Sequence, residues 1–359
     1  MSDASSTRAG TAAVEAAQAI SLGARLRQPR TILSIVLPLV LLALIARSLP
    51  GFDLERLPGL VATADPRLLL VAFAVYYLGF PLRGLRWRTI LRGVGIRLRA
   101  REATEIIFLS WLVNCLVPAK LGDLYRAYLV KLNGRVSLGR TLGTVVIERI
   151  LDLTAIVVLG LAAGFVSFRT GLPAEVQLVF VLGLVVVAAL AVALVALRSL
   201  GRRLLVAIRL PLRAIELYDR FEAGIFAIRG RDLPLLAALT GATWATEGLR
   251  LLLVVTAFSF ADVHLGVSGA VFVALAGSLL TAVPFTPGGL GVVEAGVGAL
   301  LTIVYGVPPT EAAAIVLVDR AISVLSIVVL GAGAYVVSPL RRGAGLRGAA
   351  VTGPDPGAS

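Results

Sequence analysis

Residues 176–197 read VQLVFVLGLVVVAALAVALVAL, an apolar run of 22 residues without a charged side chain. A helix of that length rises about 33 Å, enough to cross a hydrocarbon core of about 30 Å. Hydrocarbon offers no water to backbone amides, so long unbroken apolar runs predict spanning helices. The whole chain is similar in character, with 58% hydrophobic residues, 15% charged residues and a mean hydropathy of +0.93. The sequence therefore predicts an all-α polytopic membrane protein.

Charge and composition argue against several classes of protein. The net charge is +13, but the arginines form short blocks between apolar runs, which is typical of cytoplasmic loops rather than of a nucleic-acid-binding surface. One cysteine and one histidine predict neither an internal disulfide nor a zinc site. The sequence carries no phosphate-binding loop, dinucleotide fingerprint or nucleophile elbow. We therefore expect no metal, no cofactor, no catalytic residue and no nucleic-acid partner, and a protein that is not an enzyme.

The charged blocks also predict the topology. A first span is expected at residues 31–48, and a second starts near Arg67 and leads into seven arginines from Arg83 to Arg101, with Arg83 and Arg86 at the end of the helix. Because positive loops stay inside, both termini are expected in the cytoplasm of a multi-pass protein of the cell (plasma or inner) membrane. The predicted organisation is a disordered cytoplasmic arm (1–30), a single transmembrane domain (31–338) and a disordered cytoplasmic tail (339–359).

Residues 198–232 form a separate cytoplasmic segment. They carry eight arginines against four acidic residues, with apolar residues at helical spacing. This pattern predicts an amphipathic helix on the anionic lipids of the inner leaflet, and a solvated loop helix is the alternative.

Two apolar stretches are broken in the middle. Residues 106–117 and 124–132 flank the first break, and residues 270–283 and 292–305 flank the second. A dozen helical residues span only about 18 Å, so neither half crosses the bilayer alone. We predict two re-entrant helical hairpins beside about six full spans, or eight spans if the hairpin halves cross as pairs.

The order of elements repeats, which predicts an inverted repeat with repeat A at about 31–166 and repeat B at about 176–338. Each half reads span, span, broken hairpin, long charged helix, and an odd number of crossings inverts the second copy. Such repeats place their substrate near the midplane, at broken helices. Pro118, Leu121 and Gly122 correspond to Pro287, Leu290 and Gly291, and the pair Glu148-Arg149 corresponds to Asp319-Arg320.

Several charged residues fall inside predicted spans. Each charge costs about 2.5–3.5 kcal/mol at a helix centre, so such residues are expected to pair or to line a wet cavity. Structural ion pairs that pin the helices together are the alternative. Where the hairpins turn, a half-helix would point its amino end at the midplane, which suits a phosphate; simple kinks are the alternative there. The candidate substrate-binding residues are Arg86, Pro118, Lys120, Gly122, Asp123, Arg126, Glu148, Arg149, Asp152, Glu247, Arg250, Pro284, Pro287, Gly288, Gly289, Gly291, Glu294, Asp319 and Arg320.

Five motifs follow one another along the chain: Arg83-x-x-Arg86-x-Arg88, Pro118-x-x-x-Gly122-Asp123-x-x-Arg126, Glu148-Arg149-x-x-Asp152, Pro284-x-x-Pro287-Gly288-Gly289-x-Gly291-x-x-Glu294 and Arg320. Taken together, these motifs resemble the flippase-like transmembrane region of the lysylphosphatidylglycerol synthase family, in a stand-alone form without the soluble aminoacyl-transferase domain. The resemblance covers about 31–338. It implies movement of a lipid with an anionic or aminoacylated head group between leaflets.

The functional hypothesis is a lipid translocase whose substrate is an anionic, aminoacylated or polyprenyl-phosphate-type lipid, with its phosphate head group bound at the midplane. A secondary transporter of a small soluble anion is the first alternative. A membrane-embedded lipid-phosphate enzyme, with Asp123 or Glu148 as base, is the second, and a structural partner of a membrane complex is the third. Gly160-x-x-x-Gly164 has the small-residue spacing that could also support a homo-oligomer.

Overall fold

The computed structural model describes residues 51–134, 136–168, 174–208, 211–260, 263, 265–281, 286–343 and 350–351. The predicted amino-terminal arm, the first span at 31–48, Pro284, and all of the carboxy-terminal tail except 339–343 and 350–351 lie outside the described residues. What the sequence predicts for these residues remains a prediction.

Local signals explain where the first long helix begins. The Asp65 side chain accepts a hydrogen bond from the Arg67 amide at 2.8 Å, and Pro66 occupies the first helical position, where its missing N–H costs nothing. In chain order, the described helices are α1 (Leu57–Thr63), α2 (Pro66–Gly93), α3 (Ala100–Leu116), α4 (Leu121–Gly134), α5 (Leu138–Ser167), α6 (Ala174–Ala196), α7 (Arg202–Ala207), α8 (Leu212–Ile225), α9 (Leu233–Phe258), α10 (Gly266–Leu280), α11 (Val292–Ala299), α12 (Pro309–Arg320) and α13 (Ser326–Val337).

Wider π turns and short 3₁₀ turns connect some of these helices. A π turn at Ala321–Leu325 joins α12 to α13, so that they form one long helix with a bulge directly after Arg320. Such bulges occur often at functional sites. The strands are two residues each: β1 (Ile96–Arg97) pairs antiparallel with β2 (Ala350–Val351). The other turns of this kind are π turns at Leu197–Gly201 and Leu300–Val304 and 3₁₀ turns at Gly230–Asp232, Pro287–Gly289 and Leu340–Arg342.

The all-α polytopic prediction is confirmed. Helix α9 has 26 residues and also exceeds the thickness of the hydrocarbon core, although it carries charged residues at its middle. The number of full spans remains a prediction. Within the described ranges, five helical segments are long and apolar enough to cross a membrane: Pro66–Gly93, Leu138–Ser167, Val181–Ala207, Pro287–Val304 and Pro309–Val337.

The first broken segment is a hairpin of α3 and α4. Glu105, near the start of α3, accepts a hydrogen bond from Ser338 at 2.6 Å. Asn133, near the end of α4, donates to the carbonyl of Leu340 at 2.8 Å. Both open ends of the hairpin therefore lie at the same end of the bundle, beside the end of α13.

The second broken segment is a hairpin that opens at the opposite end. The ring of Tyr305, after α11, lies against Gly269 at the start of α10. The Tyr305 hydroxyl also lies 3.1 Å from the hydroxyl of Ser167, the last residue of α5. Helix α5 begins beside the open end of the first hairpin and ends beside that of the second. The two hairpins therefore point in opposite directions, as an inverted repeat requires.

The predicted amphipathic segment contains α7 and α8, and α8 packs across the start of α5. The two helices approach closely at Gly143 and Gly224, where a β-carbon on either glycine would meet backbone of the other helix. Two other apolar side chains of α8, those of Leu212 and Leu217, are exposed. Attachment to the bundle distinguishes α8 from a free loop helix, and its contact with the inner leaflet remains a prediction.

Candidate functional site

A cavity of about 180 Å³ lies between the two hairpins. Helices α2, α4, α5, α9 and α12 contribute charged residues to its wall, and the turns of the two hairpins contribute Lys120, Thr286, Gly288 and Gly289. The predicted site residues that line it are Arg86, Lys120, Arg126, Glu148, Arg149, Asp152, Glu247, Arg250, Gly288, Gly289, Asp319 and Arg320.

Arg86 of α2 holds the two carboxylates of α5. Glu148 and Asp152 lie four residues apart, so they share one face of the helix. The Arg86 guanidinium donates to Glu148 at 2.8 Å and to Asp152 at 2.6 Å. Arg126 of α4 donates to the other oxygen of Glu148 at 2.5 Å. Arg86, Arg126 and Glu148 are each at most 2% exposed, so these charges stabilise one another away from water.

Arg149 joins the first hairpin to α5 from the cavity side. Its guanidinium makes two hydrogen bonds of 2.9 Å to Asp123, the geometry in which arginine binds a carboxylate most specifically. It also lies 3.5 Å from Asp152. The Arg149 side chain is 33% exposed, which makes it accessible to a molecule in the cavity.

A second charged group belongs to the other half of the chain. Arg250 of α9 lies 2.8 Å from Asp319 of α12 and 3.2 Å from Glu247, one turn earlier on its own helix. Arg83 of α2 donates to Glu247 at 2.5 Å and so links this group to the first half. The Arg83 guanidinium also lies 4.7 Å from the centre of the Trp111 ring, which gives it a cation–π contact.

Arg320 fastens the turn of the second hairpin. It donates to Glu294 at 2.7 Å and to the carbonyl of Gly288 at 2.6 Å. The other oxygen of Glu294 accepts the Gly291 amide at 2.6 Å, which caps α11. Gly288, Gly289 and Gly291 all have positive φ values, and only glycine adopts such a series without strain.

The contacts of the two halves correspond. Asp123 and Arg149 are 26 residues apart, and so are Glu294 and Arg320. Each of these two carboxylates is the third residue of its half-helix. From the sequence, Gly122 was paired with Gly291. The ion pairs align Asp123 with Glu294 instead, which shifts the two halves by two residues, because the second turn contains a longer run of glycine. The ion pairs therefore provide a stronger signature of the repeat than proline and glycine do.

Both half-helix ends are capped within the protein, which differs from the open anion sites expected from the sequence. The Gly122 amide donates to Asn114 at 2.8 Å, and the Gly291 amide donates to Glu294. Pro118, Gly122, Asp123, Pro287, Gly291 and Glu294 surround the cavity as turn, cap and ion-pair residues rather than lining it.

Several residues of the cavity wall were not predicted from the sequence. Arg83 was quoted in a motif but omitted from the site, although it lies one turn before Arg86. Trp244 lies one turn before Glu247, and this spacing was the available signal. Trp111 and Asn114 have no such neighbour, because they reach the cavity through the packing of α3 against α2.

Fold and site together define a multi-pass α-helical membrane protein with a charged cavity between two opposed hairpins. The chain belongs to the family of the lysylphosphatidylglycerol synthase transmembrane region, whose model matches residues 31–331. It is similar to a UPF0104 membrane protein of Methanocaldococcus jannaschii, with 36% identity over 221 residues, 61% of this chain and 91% of that protein. A second UPF0104 membrane protein, from Methanothermobacter thermautotrophicus, is 27% identical over 76% of this chain and 85% of its own length.

A further relative corrects one expectation. The glycosyltransferase AglD of Haloferax volcanii is 28% identical over 314 residues, which are 78% of this chain and 50% of that protein. The chain therefore matches about half the length of AglD. The expectation that the protein is not an enzyme is contradicted by this relative, whose name is that of an enzyme and points to enzyme activity. The expectation was based on the absence of nucleotide-binding and hydrolase motifs, and such motifs carry no information about a relationship to AglD.

Proposed function

We propose that this protein moves a lipid with an anionic head group between the leaflets of the cell membrane. The observation that carries the proposal is the position of the charged cavity beside an apolar groove, one helical turn further along α5. Asp152 lines the cavity and Ile156 lines the groove. One molecule with a charged head and an apolar chain fits this succession of surfaces. The family of the chain, named for a lipid synthase, supports the same class of substrate.

The groove has a volume of about 240 Å³ and is lined by α5, α10, α11 and the π turn that follows α11. Helix α10 separates the two spaces: Gly277 and Thr281 face the cavity, whereas Leu275 and Leu279 face the groove. The groove wall consists of apolar residues, so it would hold an acyl or prenyl chain without leaving a polar group unpaired. A small soluble anion has no use for such a groove, which favours the lipid over the soluble-anion alternative.

The opposed hairpins support alternating access to the two leaflets. In this proposal the ion pairs Asp123–Arg149 and Glu294–Arg320 are equivalent contacts, one for each hairpin. The arginine of each pair in turn releases its carboxylate and binds the head group instead. Both termini would lie in the cytoplasm, as the charged loops predict.

The relationship to a protein named a glycosyltransferase supports a second candidate, transfer of a glycosyl group to or from a lipid in the same cavity. The two candidates differ in their products. Incubation with a radiolabelled sugar donor would yield a new glycolipid on thin-layer chromatography only if the second candidate is correct.

The proposal is tested in vesicles that contain the purified protein and head-group-labelled phosphatidylglycerol, lysyl-phosphatidylglycerol or a polyprenyl phosphate. We expect faster transfer between leaflets for at least one lipid and a loss of that transfer in Arg149→Ala. Arg231→Ala is the matched control, because the Arg231 side chain is 74% exposed and lies away from the cavity. Unchanged transfer in a folded Arg149→Ala protein would contradict the role of this residue, and no acceleration of any lipid would contradict the proposed function.

A further inference from the structure

Among the described residues around the cavity, one cation has no ion-pair partner. Six arginines of the two charged groups are paired with six carboxylates, each within 4.0 Å. Lys120 also lines the cavity, and no carboxylate lies within salt-bridge distance of it among the described residues. Asp123 and Asp152 are both bound by Arg149. Among the described residues, the cavity wall and the ion pairs around it therefore hold seven cations and six carboxylates, which leaves one surplus positive charge.

The backbone holds Lys120 in this position at an energetic cost. Ala119 and Lys120 have φ values of 65° and 51°, and neither is a glycine. Residues other than glycine adopt this left-handed conformation at a cost of order 1–3 kcal/mol each when it is strained, and they do so mainly where the surrounding structure enforces it. The Asn114–Gly122 hydrogen bond and the bond from the Asp123 amide to the Lys120 carbonyl close the turn. The turn thus directs a lysine to the cavity where glycine would be the easier residue.

Other donors in the wall are also unpaired. Within the described part of the chain, Nη1 of Arg83 and Nε1 of Trp244 are buried and have no hydrogen-bond partner. Both residues line the cavity, and Arg83 is only 5% exposed. Buried donors without partners are rare in folded proteins. A ligand that brings one negative charge into this cavity would neutralise Lys120.

We propose that the cavity selects a lipid whose head group carries one net negative charge, a phosphodiester, and that Lys120 is the residue that sets this selectivity. The inference rests on the proposed function and specifies its substrate. A phosphomonoester or diphosphate lipid brings further negative charge that no free cation of the wall offsets. A zwitterionic or aminoacylated lipid adds an ammonium group to a wall that already carries surplus positive charge. Uncompensated charge in a poorly hydrated cavity is costly, so both classes bind less well.

The experiment compares four fluorescent lipids with identical acyl chains in vesicles that contain the full chain. They are phosphatidylglycerol, phosphatidic acid, phosphatidylethanolamine and lysyl-phosphatidylglycerol. We expect phosphatidylglycerol to move fastest, and Lys120→Met to lower its rate about tenfold, the effect of losing one charge-assisted interaction of about 1.4 kcal/mol. Lys120→Arg should retain the preference. Lys131→Met, at the far end of α4, the helix that follows Lys120, should leave it unchanged.

The outcomes separate the two proposals. Movement of all four lipids at equal rates, or an unchanged preference in Lys120→Met, overturns the selectivity and leaves the lipid translocase intact. A wild-type protein that moves none of these four lipids overturns the selectivity, and it overturns the lipid translocase as well if it does not move the polyprenyl phosphate either. Because Lys120 has no ion-pair partner in the part of the chain that the structure describes, we expect its variants to fold. A change in tryptophan fluorescence on addition of a short-chain phosphatidylglycerol would give a second readout of binding that does not depend on transport.

Discussion

Replacement of Arg86 by glutamine should destabilise the protein far more than replacement of Arg149. Arg86 is 1% exposed and binds both Glu148 and Asp152. Arg86 is the partner that Glu148 and Asp152 share, so its loss leaves two buried carboxylates one turn apart without the cation between them. Breaking a buried pair in this way costs about 3–5 kcal/mol. At about 2 °C per kcal/mol, the midpoint of thermal unfolding should fall by about 6–10 °C.

Arg149→Gln provides the comparison within the same group. Its side chain is 33% exposed, and Asp123 and Asp152 keep Arg126 and Arg86 as ion-pair partners when it is lost, so we expect a loss of about 1 kcal/mol or about 2 °C. The assay is thermal unfolding of the purified variants in one detergent, followed by loss of the monodisperse peak in size-exclusion chromatography. Adding Asp152→Asn to Arg86→Gln restores the balance of charge and should recover at least half of the lost stability. Equal midpoints for the two single variants, or no recovery in the double variant, would refute the reasoning.

Two further predictions concern packing and topology. Gly143→Ala places a β-carbon against the backbone of α8 and should destabilise the fold by at least 2 kcal/mol in the same unfolding assay. Gly241→Ala, with open space around it in the middle of α9, is the control and should stabilise the fold by about 0.5–1 kcal/mol. Equal shifts of the two variants would contradict the close approach of α5 and α8. In a Cys115→Ala background, Glu105→Cys with Ser338→Cys should be joined by a short bis-maleimide crosslinker, seen as faster migration in electrophoresis, because the native side chains are in contact. Failure to crosslink would contradict the direction of the first hairpin.

The sequence predicted most helices and both breaks, because long apolar runs and the Pro118 turn act locally. It also predicted which charged residues lie inside helices. It could not predict their partners: Arg86 binds Glu148 across 62 residues of chain, and this contact depends on how α2 packs against α5. The charge of Arg83 was interpreted as part of a topology signal, although it lies buried against Glu247.

The turns show the same division between local and tertiary information. Glycines at 288, 289 and 291 predicted a sharp turn, and the three φ values are positive. The left-handed conformation of Ala119 and Lys120 left no trace in the sequence, because neither residue favours it. The caps of α4 and α11 depend on the side chains of Asn114 and Glu294, and Asn114 belongs to the other arm of the hairpin.

The proposed function depends on one lipid molecule filling both the cavity and the groove. The decisive measurement is therefore the initial rate of leaflet transfer of labelled phosphatidylglycerol, beside the uptake of labelled glycerol phosphate, in the same vesicles. We predict accelerated lipid transfer without uptake, slowed by Ala299→Trp in the groove and unaffected by Val329→Trp on the exposed surface of α13. Uptake of glycerol phosphate without lipid transfer, or equal lipid transfer in both tryptophan variants, would contradict it.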